Sequence, residues 1–176
     1  MGIEVKKVNI SEINQVFEII ENARAILKKD GCAQWQDGNP NIVKIRDQII
    51  NDNMYGVYKN GVLSLVGAII SGEDPSYKNL YSGEWQLYTR RYLTVHSFAV
   101  KAGCEGQGLY NYFFEWLFLQ AKRLTTEVVK SIRIDTHDKN ERMKHIILKE
   151  GFIYCGIVYI SDLKVDRKRN VYERVL

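Results

Sequence analysis

The stretch from Tyr92 to Gly151 constrains the fold more than any other part of the chain. Tyr92 to Val100 is apolar on both faces apart from Thr94, His96 and Ser97, the pattern of a strand placed centrally in a sheet. A glycine-bearing turn, Gly103 to Gly108, comes next, and Leu109, Phe113, Trp116, Leu117 and Leu124 then mark a helix. Ser131 to Asp135 reads as another strand. Asp138 and Glu141 form a capping-box pair opening a helix that ends at Gly151. Strand, helix, strand and helix in that order imply two parallel strands joined by a right-handed crossover.

The flanking segments add antiparallel pieces. Ile3, Val5 and Val8 lie in a short first strand. Ser11 has the character of an N-cap, and Ile13, Val16, Phe17, Ile20, Ala23 and Leu27 follow at helical spacing, ended by Gly31. Pro40 opens a second helix to about Asn51, with Ile42, Ile45 and Ile49 inward. Asn60-Gly61 between Met54–Tyr58 and Val62–Ile70 is a hairpin signal. Gly72 to Arg91, rich in Tyr and Trp, is either a long functional loop or the seat of a short helix. Phe152 to Ile160 and Val171 to Leu176 close the chain as strands. The order is β-α-α-β-β-β-α-β-α-β-β, an α/β fold with a mixed, strongly twisted sheet and flanking helices. At 176 residues, with no linker or internal repeat, the expectation is a single domain over 1–176.

Several function classes lose support. The longest apolar stretch, Leu63 to Ile70, is too short to span a bilayer, and the N-terminus lacks a signal-peptide pattern, so no membrane partner and a cytoplasmic location are expected. Three cysteines, Cys32, Cys104 and Cys155, show no C-x-x-C spacing. Three histidines share no helix face, so no metal is expected. A net charge of +4 favours anionic ligands, yet no dense Lys/Arg stripe with interleaved aromatics points to nucleic acid.

The chemistry concentrates after Val100. A strand stops, glycines turn the chain, and an amphipathic helix begins. Unpaired N–H groups at a helix start bind anions, and glycine lets backbone approach a phosphate; glycines there also serve turns alone. The wider pattern resembles the GNAT superfamily of N-acetyltransferases. That family has a strand ending in an apolar-Ala-Val unit, here Phe98-Ala99-Val100. Its pyrophosphate loop runs Gln or Arg, two residues, Gly, one residue, Gly or Ala. Here it is Glu105-Gly106-Gln107-Gly108-Leu109-Tyr110. Asn140, an apolar helix and Gly151-Phe152 follow. Ile132 to His137 and Trp35-Gln36-Asp37-Gly38 look like a bacterial branch of the family.

The resemblance implies acetyl-CoA as co-substrate. Amides from Gly106 to Tyr110 would hold its pyrophosphate. The backbone of Phe98 and Val100, around Ala99, would pair with the pantetheine arm where strands splay, and Asn140 would contact the same arm. Glu105 and Tyr110 depart from the motif, so the Glu105 carboxylate is expected to turn to solvent. Many relatives carry Tyr four residues before the Gly of Gly-Phe, where it can protonate the leaving thiolate; here that position is Ile147.

An amine must be neutral to attack a thioester. His96, on the central strand, is the first candidate base, as in the arylalkylamine-acetylating branch; the alternative is a buried His satisfied by a neighbour. His137 is the second candidate, or a cap on the following helix. Tyr154 is a candidate proton donor. Cys104 abuts the loop with no mark of a nucleophile. Trp35, Tyr81 and Trp85 are candidates for lining the acceptor pocket, and Glu73, Asp74 and Glu84 for attracting a cationic acceptor. The expected function is acetyl transfer to a primary amine by direct attack, with a backbone N–H at a bulge of the central strand stabilising the intermediate. The acceptor is a small-molecule or peptide amine, and a homodimer through the C-terminal strands fits the pattern. The rivals are a CoA-binding sensor without turnover and a different nucleotide-binding α/β domain, against which the glycine spacing argues.

Overall fold

The computed structural model describes residues 2–124 and 128–176. Seven strands form one sheet: β1 (Ile3–Lys7), β2 (Met54–Lys59), β3 (Val62–Ser71), β4 (Tyr92–Val100), β5 (Ser131–Thr136), β6 (Ile153–Tyr159) and β7 (Lys168–Val175). Their order across the sheet is β1-β2-β3-β4-β5-β7-β6. β4 and β5 are parallel, and every other neighbouring pair is antiparallel. Among the described residues four α-helices flank the sheet: α1 (Ile13–Lys29), α2 (Ile42–Ile50), α3 (Leu109–Gln120) and α4 (Glu141–Lys149). The element order is the expected one. Asn60 and Gly61, at φ 52° and 80°, make the left-handed turn that joins β2 to β3.

Helix starts differ from expectation in a consistent way. Asn9, not Ser11, begins the first helical segment. It accepts from the Ser11 amide at 2.9 Å while Glu12 accepts from the Asn9 amide at 2.9 Å, and a 3-10 turn at Ile10–Glu12 leads into α1. Asn41, not Pro40, caps α2 by accepting from Lys44 N–H. Asn140, not Asp138, caps α4 by accepting from Met143 N–H. Pro40 has no side-chain acceptor, Ser11 already lies inside the turn, and Asp138 is turned to the His137 ring at 2.8 Å. At the other end of α3, a 3-10 turn at Ala121–Arg123 leaves Leu124 beyond the helix.

A bulge in β4 sets the geometry of the whole centre. β3 pairs Ala68 with His96 and Val66 with Ala99, so Gly67 alone opposes two residues. Ser97 takes up the extra residue at φ 50°. Alternation is thereby reversed. Leu93 and Val95 before the bulge and Phe98 and Val100 after it all meet the core beneath α3 and α4, whereas Ala99 meets the core beneath α1 and α2. Gly67 is required here: a Cβ would lie 2.6 Å from Phe113 Cζ. Phe98 packs on Phe113 and Phe114 with ring centroids 5.3 and 5.4 Å away. Phe113 and Phe114 are fully buried, and each contributes about 1.5–3 kcal/mol.

The segment 72–91 is an irregular cover over β5–β7 with one short 3-10 turn at Pro75–Tyr77. Arg133 fastens it. Its guanidinium donates to Glu173 at 2.8 Å and to Leu87 O at 3.1 Å, and it lies between the Trp85 and Tyr92 rings. Glu173 in turn accepts from Leu87 N–H and the Ser131 hydroxyl. Tyr81 exchanges both backbone hydrogen bonds with Ile157 at 2.8 Å. That bridge occupies part of the free edge of β6, the outermost of the C-terminal strands. Among the described residues, no helix is long and apolar enough to cross a membrane.

Candidate active site

Pairing of β4 with β5 runs from Tyr92↔Ser131 to Val95↔Ile134 and then stops. Beyond that point the strands part. Lys101 N–H donates to Ser64 O on β3, so strand alternation turns the Val100 and Phe98 backbone edge away from β3, toward the vacated side. A cavity of about 730 Å³ occupies the gap. It reaches from the glycine turn, along Phe98–Val100, to His96, Asp74 and Asp135.

At one end lies the turn. Gly103, Gly106 and Gly108 all have left-handed φ values, 81°, 73° and 69°, which glycine adopts at the least cost. A Cβ built on Gly106 would meet nothing within 4 Å, so this face is open. The amides of residues 106–110 reach no acceptor among the described residues, as expected of a helix start that leaves donors for an anion. Glu105 is exposed, and its carboxylate also accepts from Gly103 N–H at 2.7 Å, which braces the loop. Gln107 braces it too, donating to Gly103 O and accepting from Lys59. Leu109, the first residue of α3, is buried in the core. Tyr110 lines the cavity with its ring under the Lys149 ammonium, 5.6 Å away. The Tyr110 hydroxyl raises the Lys149 pKa, and Arg142 adds a second cation on this wall.

Asn140 lines the cavity, but its amide is largely engaged. Its oxygen caps α4 and its nitrogen donates to Gln34 at 2.9 Å. Gln34 Oε1 also accepts from Thr136 and from His137 N–H, gathering three donors into one buried node. Trp35, next in sequence, lines the cavity at φ 69°. Ile147 is fully buried in the core.

His96 lies at the other end. Nε2 is 2.7 Å from Asp74 Oδ2, and Nδ1 is 3.8 Å from Asp135 Oδ1. Tyr77 donates to Asp135 at 2.6 Å, and Asp74 N–H donates to the Tyr92 hydroxyl. Burial pushes the Tyr77 hydroxyl well above its ordinary pKa, with the charges of Asp135 and Asp74 adding to it. Burial opposes the Asp74 charge, but the hydrogen bond and charge of His96, helped by Ser76 N–H and Lys44, outweigh it and lower that pKa.

Other candidates fall elsewhere. His137 is buried, with Nδ1 accepting from Lys139 N–H and Nε2 at Asp166, so it organises the turn before α4. Tyr154 is half-exposed on β6 and packs edge-on to Tyr172, outside the cavity. Tyr81 packs on Tyr159, and Trp85 on Tyr77 and Arg133; neither lines the cavity. Glu73 pairs loosely with Arg90 on the surface, and Glu84 is exposed. Cys104 is a free thiol on the cavity wall. Tyr77, Asp135 and Gln34 escaped the sequence reading. Asp135 shares a β5 face with Arg133 by simple alternation, but only the β4–β5 register brings it beside His96.

No model of a known protein family and no curated protein matches the chain. Solved structures do. An acetyltransferase of the GNAT family from Streptococcus agalactiae is 33% identical, with 100% of this chain and 96% of that one covered at a TM-score of 0.85. A GNAT-family acetyltransferase from Listeria monocytogenes shares the fold at 18% identity and TM-score 0.68, covering 99% and 95% of the two chains. A ribosomal L7/L12 alpha-N-protein acetyltransferase in complex with coenzyme A shares it at 13% identity and TM-score 0.67, covering 99% and 94%. With one-third identity along its whole length and the splayed β4–β5 pair in place, this chain belongs to the GNAT family of acetyltransferases.

Proposed function

We propose that the protein transfers the acetyl group of acetyl-CoA to a primary amine by direct attack in a ternary complex. The observation that carries this reading is one continuous cavity, with free amides at one end and His96 at the other. The amides of Gly106 to Tyr110, with Arg142 and Lys149, take the pyrophosphate. The backbone edge of Phe98 and Val100 takes the pantetheine arm as an added strand. A thioester lying along that edge ends near the Ser97 bulge, where a backbone N–H stabilises the tetrahedral oxyanion. His96 removes a proton from the amine. The thiol has an ordinary pKa near ~8.5, so its thiolate leaves without a dedicated acid, in keeping with Ile147. Small-molecule and peptide amines both suit the open cavity, and a cytoplasmic setting supplies the co-substrate.

Thermal melting with acetyl-CoA, against ATP and NAD, tests the binding half. Saturation at about a hundred times Kd stabilises the fold by about 2.7 kcal/mol. Thiol release across a panel of primary amines tests the chemistry. Ile147, buried where relatives carry Tyr, favours a CoA-binding module without turnover as the second reading; acetyl-CoA binding with no thiol release from any amine would support it instead.

A further inference from the structure

Both ring nitrogens of His96 face carboxylates, but only one is bonded. Nε2 lies 2.7 Å from Asp74, whose pKa is lowered. An ionised carboxylate can only accept, so the hydrogen of this bond belongs to Nε2. In the neutral ring Nδ1 is then a bare lone pair. It faces Asp135 Oδ1 across 3.8 Å, outside hydrogen-bond range. Two acceptors confront each other with no donor between them.

Neither acceptor can swing away easily. His96 is held by Asp74, and Asp135 by the buried Tyr77 hydroxyl at 2.6 Å. Val95↔Ile134 is the last β4–β5 pair, so the two residues sit side by side where the strands part, and both line the cavity. A primary ammonium group has several N–H donors on one atom. Bonds of about 2.8–3.0 Å to each acceptor bridge such a gap from its open side.

We propose that Asp135 seats the acceptor as a primary ammonium ion against Nδ1 of His96, making Asp135 a substrate-binding residue. This rests on the acetyl-transfer reading. The ammonium gives one proton to Nδ1. The freed lone pair forms the C–N bond, and the C–S bond breaks with its electron pair on sulfur. The second amine proton goes to the thiolate, and the imidazolium returns its proton to solvent. The balance is ammonium plus thioester giving amide, thiol and one proton. The titratable groups facing the ring are Asp74 and Tyr77 from the covering segment and Asp135 from β5, with Lys44 of α2 acting on Asp74. An alcohol offers one donor and no charge, so the site selects amines over alcohols of the same shape.

The test uses n-butylammonium chloride with CoA-saturated protein, followed by nitrogen NMR of the histidine rings, beside steady-state kinetics. In the unaltered protein a saturable shift at Nδ1 of His96 is expected, with Nε2 little moved and n-butanol without effect. Asp135→Asn should raise KM for n-butylamine about 10–100-fold, the loss of one charge-assisted bond, while acetyl-CoA affinity stays unchanged. Asp162→Asn, another cavity carboxylate, should leave KM alone, which separates a specific seat from general acidity. An Asp135→Asn enzyme with unaltered KM overturns the proposal. So does a protein that binds acetyl-CoA while its Nδ1 signal ignores the amine. Failure to bind acetyl-CoA at all sinks the acetyl-transfer reading first, and the proposal with it.

Discussion

Arg133 and Glu173 meet at 2.8 Å with side chains 4% and 0% exposed, and together they hold segment 72–91 against the sheet. Arg133→Met leaves Glu173 buried without its partner. Breaking a buried pair on one side typically costs about 3–5 kcal/mol. Urea unfolding should show that loss. The double change Arg133→Met with Glu173→Met should recover much of it, because two apolar side chains leave no stranded charge. Acetyl transfer should stay impaired in the double variant, since Leu87 loses its anchors and the same segment carries Asp74 and Tyr77.

His96→Ala should lower the rate of acetyl transfer by about 10²–10⁴-fold, the usual range for a positioned base. It should also remove the corresponding limb of the pH–rate profile, leaving acetyl-CoA affinity intact because the glycine turn lies at the other end of the cavity. Stopped-flow thiol release over a pH series measures both. An unchanged profile eliminates His96 as the base.

Gly106→Ala should weaken acetyl-CoA binding more than it weakens the fold. Its φ of 73° makes any side chain strained by about 1–2 kcal/mol. The added methyl meets nothing in the free protein, since the position opens on space; with the ligand bound as proposed it projects into the place of the pyrophosphate. Calorimetric titration beside a melting curve separates the two effects.

Asp74 makes acid stability depend on His96. Its folded pKa lies below the ordinary carboxylate value, so the native state prefers the ionised form more strongly than the unfolded chain does. That preference stabilises the fold above the unfolded pKa, near ~3.9, and is lost as pH falls through the lower folded value. Asp74→Asn should flatten this part of the stability curve, and His96→Ala should flatten most of it. Guanidinium unfolding at stepped acidic pH reads the slope.

Much of the fold is legible because its signals are local. The hairpin at Asn60-Gly61, the glycine stop at Gly31 and the strand–turn–helix after Val100 each need only neighbouring residues. Helix caps were missed by one or two residues because Ser11, Pro40 and Asp138 look like starts in isolation. The choice among neighbours is made by whichever oxygen reaches the N2 or N3 amide, and in three places that is an Asn. The site was half legible for a related reason. The glycine turn and His96 are written in one contiguous stretch. Trp85, Tyr81 and Tyr154 lie outside the cavity lining because long-range contacts set them: Arg133 claims Trp85, and the approach of Gly83 to Cys155 O, where a Cβ would be 1.9 Å away, fixes how the segment crosses β6. Asp135 was invisible because its meeting with His96 depends on the register of two strands more than thirty residues apart.

Ser97 is a residue that the ladder does not need. Delete it and β4 could pair with β3 without interruption, Phe98 opposite Gly67 and His96 still opposite Ala68, every side chain keeping its face. What the surplus residue adds is backbone: one more N–H and C=O, and a left-handed kink, set where β4 takes leave of β5. A strand shortened by that residue should therefore fold with its core unchanged and yet lose activity, because the proposed seat of the oxyanion is made of main chain and no side-chain substitution can supply it.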